Sequence, residues 1–530
     1  MRLRDGSMKQ RATFGYKLLV ATTLAAITTA LFLRLPSFPG LHGDEAWVGL
    51  RALEQQTNGM FTLRGMNGYT GSLFPQLVTL ASSVFSPDVF GLRLPGAIFN
   101  WLALLLMTIA LWKRGTAALC FLLLMGSSLL FLFYSRVAWE VNALQNFLLA
   151  LIVLALISLL RSARSLPGSV FLLFLAFALG TWSHLIFMAA ALSFALAAAV
   201  VALKWPDENS VRLLLLGCFN LVLQIVLLAR HFVGSGPFML HALPALVVGF
   251  ALVALFSAAY VRAENHLLAA TLRTITRRPL VNLGNGAAIF AIAGSLLMSP
   301  ASVSAFFGTV SGIILLERVA SYAPGPIEMA GLHAYMALLI AAFLATTIAR
   351  MRNANAGRQD QLLNLLVIWT IIFFPALMVA TRGQADRYYI IPQFLFFCSI
   401  ALAIGDGLHR WRLPLHALLI CGFVYAQATS IRETLRDDDR PPFESFAYGS
   451  YSDTSRHFLR LERLLGYLER QDICRVESSN FFIAQPMRFL MAMRARCDNP
   501  ETVAIEYCTD CSGPVPWFEL TPARAAPRDP

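Results

Sequence analysis

Residues 41–50 read LHGDEAWVGL. They follow the first long apolar run of the chain, roughly 18–35, at the point where a hydrophobic helix would leave a bilayer. A glycine, two adjacent carboxylates (Asp44 and Glu45) and a tryptophan, Trp47, therefore stand at a membrane boundary. Carboxylates also mark ordinary helix ends, so the string alone is compatible with a plain terminus. What stands at the ends of the other apolar runs decides between the two readings.

Those runs are many. The chain has 530 residues, 57% apolar and 14% charged, with mean hydropathy +0.63. A soluble chain of this length exposes more charge than that. A helix needs about 20 apolar residues to cross the hydrocarbon core. Suitable runs lie at roughly 18–35, 90–112, 116–133, 141–160, 168–183, 185–203, 211–229, 240–261, 281–299, 331–349, 361–380, 389–408 and 413–430. The expected fold is thus mainly α, a polytopic membrane protein of about 13 transmembrane helices. The stretch 168–203 can also be drawn as one span plus an interfacial helix.

Charge sets the expected orientation, because cytoplasmic loops collect Lys and Arg. With the N-terminus inside, every loop expected inside is basic: Lys113 and Arg114; Arg161 and Arg164; Lys204 and Arg212; Arg262 to Arg278; Arg350 to Arg358; Arg410 and Arg412. The net charge of +12 divides into +15 over residues 1–430 and −3 beyond them. That split follows the positive-inside rule and argues against nucleic acid as a partner. The basic N-terminus MRLRDGSMKQRATFGYK followed by an apolar run looks like a signal peptide. No small-x-small site follows it, so it is taken as a retained first helix.

An odd number of spans puts the tail, 431–530, outside as a soluble periplasmic domain of α/β or α+β type, with pieces such as RHFLRLERLLGYLER. The DDDR run at 437–440 is taken as a solvated linker. Cys120, Cys218, Cys398 and Cys421 lie in apolar runs, whereas Cys474, Cys497, Cys508 and Cys511 lie in the tail. Four tail cysteines in an oxidising compartment are expected to form disulfides, with three connectivities open. The CTDC spacing is also half of a zinc site, but partners at zinc-ribbon spacing are lacking. With 38 Arg and 4 Lys the composition suggests a GC-rich genome, hence a bacterial inner membrane.

Two outer loops are long, about 36–88 and 300–330. The first contains LFPQLVTLASSVFS, an amphipathic stretch suited to the membrane surface. Charged motifs recur at other outer helix ends: Arg136 and Glu140 in YSRVAWE, Asp386 and Arg387 in ADRYYIIPQF. Opposite charges at membrane level are expected to converge on a cavity rather than face lipid. In such a cavity a carboxylate can take a proton from a hydroxyl or amine. Arginine forks suit a phosphate. Apolar walls suit a lipid tail. The combination points to a sugar carried on a lipid phosphate.

These motifs resemble the GT-C superfamily of polyprenyl-phosphate-sugar-dependent glycosyltransferases. The nearest branch holds the protein O-mannosyltransferases and the lipid A aminoarabinose transferase. GDEAW resembles the acidic motif that begins the family's first outer loop. GYTGSLFPQLVTLASSVFSPDVFGLRLPGAIF resembles its interfacial helix and Arg-Leu-Pro segment. YSRVAWEVNALQNFLLAL resembles its second outer loop, and GTWSHLIFMAAAL a segment with His or Lys near the outer surface. RYYIIPQF resembles a late Arg-Tyr…Pro motif. The resemblance spans about 18–430.

It implies an inverting transfer from a polyprenyl-phosphate monosaccharide to a lipid, protein or glycan acceptor. Asp44 matches the catalytic carboxylate, with Glu45 assisting it or orienting the acceptor or a metal. Arg136 and Arg387 would contact the donor phosphate, and Glu140 matches a second acid. His184 matches a loosely kept position and serves equally as a satisfied polar residue at a helix end. Tyr388 belongs to the late motif. Trp47 stands where the family has Tyr, which bears on sugar or acceptor stacking. His231, His241 and His333 could approach the outer face. No metal or other cofactor is required by the sequence, and a divalent ion is compatible with it. The 300–330 loop does not align. Two other readings are a transporter or flippase for a lipid-linked sugar, which would place ionisable groups in mid-helix, and an assembly protein working through its tail.

Overall fold

A computed structural model describes residues 3–58, 65–67, 69–85, 87–114, 116–139, 143–162, 164, 166–233, 242–275, 326–352, 360–381, 386–406, 412–435, 443–444, 458–459, 461–473, 475–493, 502–507 and 518–522. Helices occupy every expected span except 281–299, which lies outside the described residues. In chain order the membrane part contains α1 (Leu3–Phe32), the short strand β1 (Leu41–His42), α2 (Gly43–Asn58), α3 (Leu73–Val84), α4 (Val89–Leu111), α5 (Ala117–Ser127) and α6 (Leu129–Tyr134). Then follow α7 (Gln145–Arg161), α8 (Pro167–Ser183), α9 (Phe187–Lys204), α10 (Glu208–Val233) and α11 (Ala242–Ile275). Next are α12 (Pro326–Arg352), α13 (Gln361–Thr381), a 3-10 turn (Asp386–Tyr389), α14 (Ile390–Asp406) and α15 (Arg412–Leu435).

Among the described residues, six helices are long and apolar enough to cross a membrane, and further apolar helices of 10–17 residues accompany them. The protein is a multi-pass membrane protein. Two expected spans are interrupted, each for a local reason. The run 116–133 breaks at Ser128, whose extended backbone ends α5 and whose hydroxyl accepts from Phe131 N as the N-cap of α6. The stretch 168–203 breaks at His184, also extended, giving two helices rather than one span and a surface helix. A break is tolerable in the apolar core only if neighbours satisfy the freed polar groups. The Ser128 hydroxyl accordingly donates to Gln393 of α14 at 3.0 Å.

The loops expected to be cytoplasmic meet at one end of the bundle. Arg114 pairs with Asp360 at 2.9 Å, and Gln361 donates to Asp207 at 2.7 Å. Arg212 bridges Glu264 at 2.6 Å and Glu208 at 3.1 Å. LHGDEAWVGL lies at the opposite end.

The tail is α+β. It contains β2 (Phe443–Glu444), β3 (Phe458–Leu459), α16 (Glu462–Arg470), β4 (Arg475–Glu477), α17 (Phe481–Ala492), β5 (Thr502–Tyr507) and β6 (Phe518–Pro522). β4 and β5 pair in parallel, with α17 as the crossover that a parallel pair needs. β6 adds antiparallel to β5. Leu461, Leu464, Leu468, Ile483, Met487, Val503 and Ile505 form its core. A second sheet joins the tail to the membrane part: β3 pairs antiparallel with β2 and with β1, in the register Leu41↔Leu459 and His42↔Phe458.

Candidate active site

Between α1 and α2 the chain reverses at membrane level. Its backbone carbonyls there leave the helix ladder and must find donors, because no water replaces them in the apolar region. Two buried arginines supply these donors. Arg93, in the second turn of α4, donates Nη1 to Leu35 O (3.0 Å) and Pro39 O (2.7 Å), and Nη2 to Gly40 O (2.9 Å). Arg136, just beyond α6, donates Nη1 to Ala30 O (3.2 Å) and to the Thr434 hydroxyl of α15 (3.0 Å), and Nη2 to Leu33 O. Its guanidinium also lies over the Phe38 ring, 5.1 Å from the centroid.

The remaining donors of Arg93 go to Glu45. Nε meets Oε1 at 2.9 Å and Nη2 meets Oε2 at 2.8 Å, a bidentate fork with both side chains at 0% exposure. The same carboxylate accepts the backbone N–H of His42 at 3.1 Å and of Ala138 at 2.7 Å. All five N–H donors of Arg93 are thus engaged, and Glu45 holds four donors. One ion pair fastens β1, α2, α4, the α1–α2 turn and the segment after α6 to one another.

Asp44 behaves differently from its neighbour. Adjacent helical residues diverge by about 100°, so a buried Glu45 turns Asp44 away from the core. Its side chain is 23% exposed. Its backbone N–H donates to His42 Nδ1 at 3.0 Å, which assigns the His42 proton to Nε2. The 3.8 Å approach of the Asp44 carboxylate to that same Nδ1 is therefore a proximity rather than an ion pair. The His42 ring stands edge-on to Trp139 with centroids 4.5 Å apart, and Trp139 stacks on Tyr134 at 5.6 Å. Asp44 is thus a partly open carboxylate on a base that cannot shift easily. Trp47 lies half-buried one turn on, with the Arg51 guanidinium 5.4 Å from its ring centroid.

A second group of residues forms at the same end. The 65–72 loop meets the break after α8 through an antiparallel bridge, Thr70 to His184. Gly71 N donates to Ser183 O at 3.0 Å, and Leu185 N donates to Tyr69 O at 2.8 Å. Only glycine fits at 71, since a Cβ would lie 1.8 Å from the Trp182 carbonyl oxygen. His184 is buried, and its Nδ1 accepts from Ile186 N at 3.1 Å. Its ring lies between two tyrosines, Tyr69 at 5.2 Å and Tyr388 at 5.5 Å. Tyr69 is exposed and Tyr388 half-buried, so the group is open on that side.

The expected role of Glu45 in orienting an acceptor or a metal fits its four protein donors poorly. A phosphate role for Arg136 fits its 1% exposure and its three protein acceptors poorly. Glu140, His241, Cys474, Cys497, Cys508 and Cys511 lie outside the described residues, as do the side chains of Arg387, His231 and His333. Arg93 lies in the Arg-Leu-Pro segment, to which the resemblance assigns no role, and no local sequence signal marks His42, Tyr69 or Gly71. The sequence signal for Arg93 is an arginine at the outer end of an apolar run. Among the described residues, no group of three His, Cys, Asp or Glu side chains could hold a metal ion. His42 and Asp44 are two such groups at one place.

With a reversal between α1 and α2 that presents a carboxylate, an amphipathic helix α3 and a many-helix bundle, the chain is similar in fold to solved structures of an oligosaccharyltransferase. The similar solved structures include the oligosaccharyltransferase of Archaeoglobus fulgidus, in complex with zinc and sulfate, at TM-score 0.50 and 15% identity over 78% of this chain. ArnT from Cupriavidus metallidurans, bound to undecaprenyl phosphate, matches at TM-score 0.35 and 14% identity over 93% of both chains. This chain spans about half the length of the archaeal enzyme, 53%. No family model and no curated protein matches it.

Proposed function

We propose that the protein is a membrane glycosyltransferase that moves a monosaccharide from a polyprenyl-phosphate donor to an acceptor at the outer face of a bacterial inner membrane. The observation that carries this reading is the contrast between Asp44 and Glu45. One carboxylate is buried and neutralised by Arg93, and the next is held half-open beside it. A fold that invests a fully satisfied ion pair in fixing one partly open carboxylate is suited to general-base work.

Asp44 would accept the proton of an acceptor hydroxyl or amine. The freed oxygen or nitrogen attacks the anomeric carbon on the side away from the phosphate. The bond from that carbon to the phosphate oxygen breaks, and its electron pair leaves with the lipid phosphate. One displacement inverts the anomeric centre, with no covalent sugar–enzyme species. Arg387, in the turn before α14, is the proposed ligand for the phosphate charge. Arg136 is assigned instead to the α1–α2 reversal. Glu140, after Trp139, remains the proposed second acid. The aromatic faces of Tyr69 and Tyr388 offer a stacking surface for a sugar or acceptor ring beside His184. Apolar helix surfaces provide room for the polyprenyl chain and for membrane lipids.

The test is transfer by the full-length protein in liposomes supplied with polyprenyl-phosphate sugars and candidate acceptors. Mass spectrometry of envelope glycolipids and glycoproteins from a deletion strain would name the sugar and the acceptor together. Donor-dependent product from the native protein and none from Asp44→Asn supports the reading. Sugar movement across the bilayer without a covalent product overturns it in favour of a transporter.

A further inference from the structure

The segment that presents Asp44 is not held by the membrane part alone. β1 ends at His42, two residues before Asp44, and its strand partner is β3 of the tail, more than 400 residues later. On the far side of Asp44, the tail helix α17 lies along α2. There Gly49 faces Phe489 so closely that a Cβ on Gly49 would fall 2.4 Å from the ring. The tail therefore grips the catalytic segment on both sides of Asp44, through backbone pairing before it and ring-on-glycine packing after it.

The sequence of α17 explains how one helix serves two bodies. Ile483 and Met487, one turn apart, belong to the core of the tail. Phe489 is two residues beyond Met487, about 200° around the helix, and so leaves on the opposite face. It is 2% exposed and belongs to the core of the membrane part, with Leu490 and Met493 packed against that core. α17 thus couples the tail to α2, and a ring without room to move transmits any shift of the tail to the helix that carries Asp44 in its first turn.

We propose that the tail is a positioning part of the catalytic site, with Phe489 as the positioning residue that sets the placement of Asp44 through Gly49. This rests on the reading of Asp44 as general base. Phe489 touches no reacting atom in this scheme. Its effect comes through the start of α2, where a small misplacement of a catalytic group is costly.

The experiment uses the full-length protein in detergent or liposomes. In Phe489→Ala, kcat is expected to fall by about tenfold or more while KM for donor and acceptor stays within about twofold, because the base is displaced and the binding surfaces are not. Phe489→Leu should retain most of the activity and covers the case in which the alanine variant does not fold. Gly49→Ala should also lower kcat by crowding the ring, and combining it with Phe489→Ala should recover activity relative to either alone, since the methyl then enters the vacated space. Hydrogen exchange provides an arm that needs no substrate: amides of residues 41–49 should exchange faster in Phe489→Ala, with residues 117–134 unchanged. Unchanged exchange at 41–49, or strictly additive effects of the two substitutions, overturns the proposal. A native protein that transfers no sugar while the exchange result holds would instead remove the functional reading and leave the mechanical coupling standing.

Discussion

The Glu45 carboxylate and the Arg93 guanidinium meet as a two-pronged fork, 2.9 Å and 2.8 Å, with neither side chain reaching solvent. Arg93→Lys keeps the charge but replaces five fixed donors by a point charge with three. It would leave carbonyls among Leu35, Pro39 and Gly40 without a donor. Each buried carbonyl left without its donor costs about 1–3 kcal/mol. The expected outcome is a large drop in thermal unfolding temperature, together with loss of activity. Glu45→Gln should behave likewise, because the neutral amide leaves Arg93 a buried, uncompensated cation.

Asp44→Asn makes the contrasting case. Asp44, its side chain 23% exposed, stands outside the buried Arg93–Glu45 fork that holds the reversal. Removing a general base lowers turnover by about 10²–10⁴-fold. The expected result is a kcat loss of that size, with the unfolding temperature unchanged. Measuring both quantities on Asp44→Asn and Glu45→Gln separates the two adjacent carboxylates: one variant is stable and inactive, the other unstable.

That division was not legible in the sequence. The apolar runs, the basic loops and the order of the motifs place GDEAW at a helix exit, because burial periodicity and loop charge are local properties. Which of two neighbouring acids turns inward depends on Arg93, 48 positions from Glu45, and on Ala138, 93 positions away. The partners of Arg136 are equally distant in sequence. An arginine at an outer helix end reads as a phosphate ligand, while the structure gives it the carbonyls of Ala30 and Leu33 at the end of α1 as acceptors. The grip of the tail on α2 was equally hidden, since the pairing of Leu41 with Leu459 carries no local signal.

Gly71 provides a test of the second group of residues. A methyl there would meet the Trp182 carbonyl at 1.8 Å, and backbone cannot yield as a flexible side chain can. Gly71→Ala is therefore expected to detach the 65–72 loop from the Thr70–His184 bridge and to separate Tyr69 from His184. If the Tyr69–His184–Tyr388 surface receives a sugar or acceptor ring, KM should rise in this variant and in Tyr388→Ala. An aromatic–aromatic contact of this kind is worth about 0.5–1.5 kcal/mol, so a rise of several-fold is the expected size. Unaltered KM values in both variants would limit the group to a structural role.

The four tail cysteines carry a compartment prediction. Outside the membrane, Cys474, Cys497, Cys508 and Cys511 should resist alkylation in the non-reduced, denatured protein and react after reduction. Cys120, Cys218, Cys398 and Cys421, free thiols in the membrane part, should be alkylated in both samples. Eight reactive thiols without reduction would place the tail on the wrong side.

The two arginines of the charged motifs should separate by assay. Arg136 satisfies the carbonyls of Ala30 and Leu33 and the hydroxyl of Thr434, joining the end of α1 to α15. Arg136→Ala leaves these acceptors buried without a donor, at about 1–3 kcal/mol for each unsatisfied group. Its expected signature is a lowered unfolding temperature, with donor KM in the surviving folded fraction within about twofold of native if no phosphate contact is lost. Arg387, the proposed phosphate ligand, should show the reverse. A charge-assisted hydrogen bond is worth about 1.5–3 kcal/mol, so Arg387→Ala should lower kcat/KM for the donor by about 10- to 100-fold at native stability. Lysine at 387 should restore part of that loss, because a point charge still attracts a phosphate. Lysine at 136 should restore little, because it cannot reproduce the spread of donors that reaches two helices. A donor KM that rises in Arg136→Ala without any loss of stability would return this residue to the phosphate.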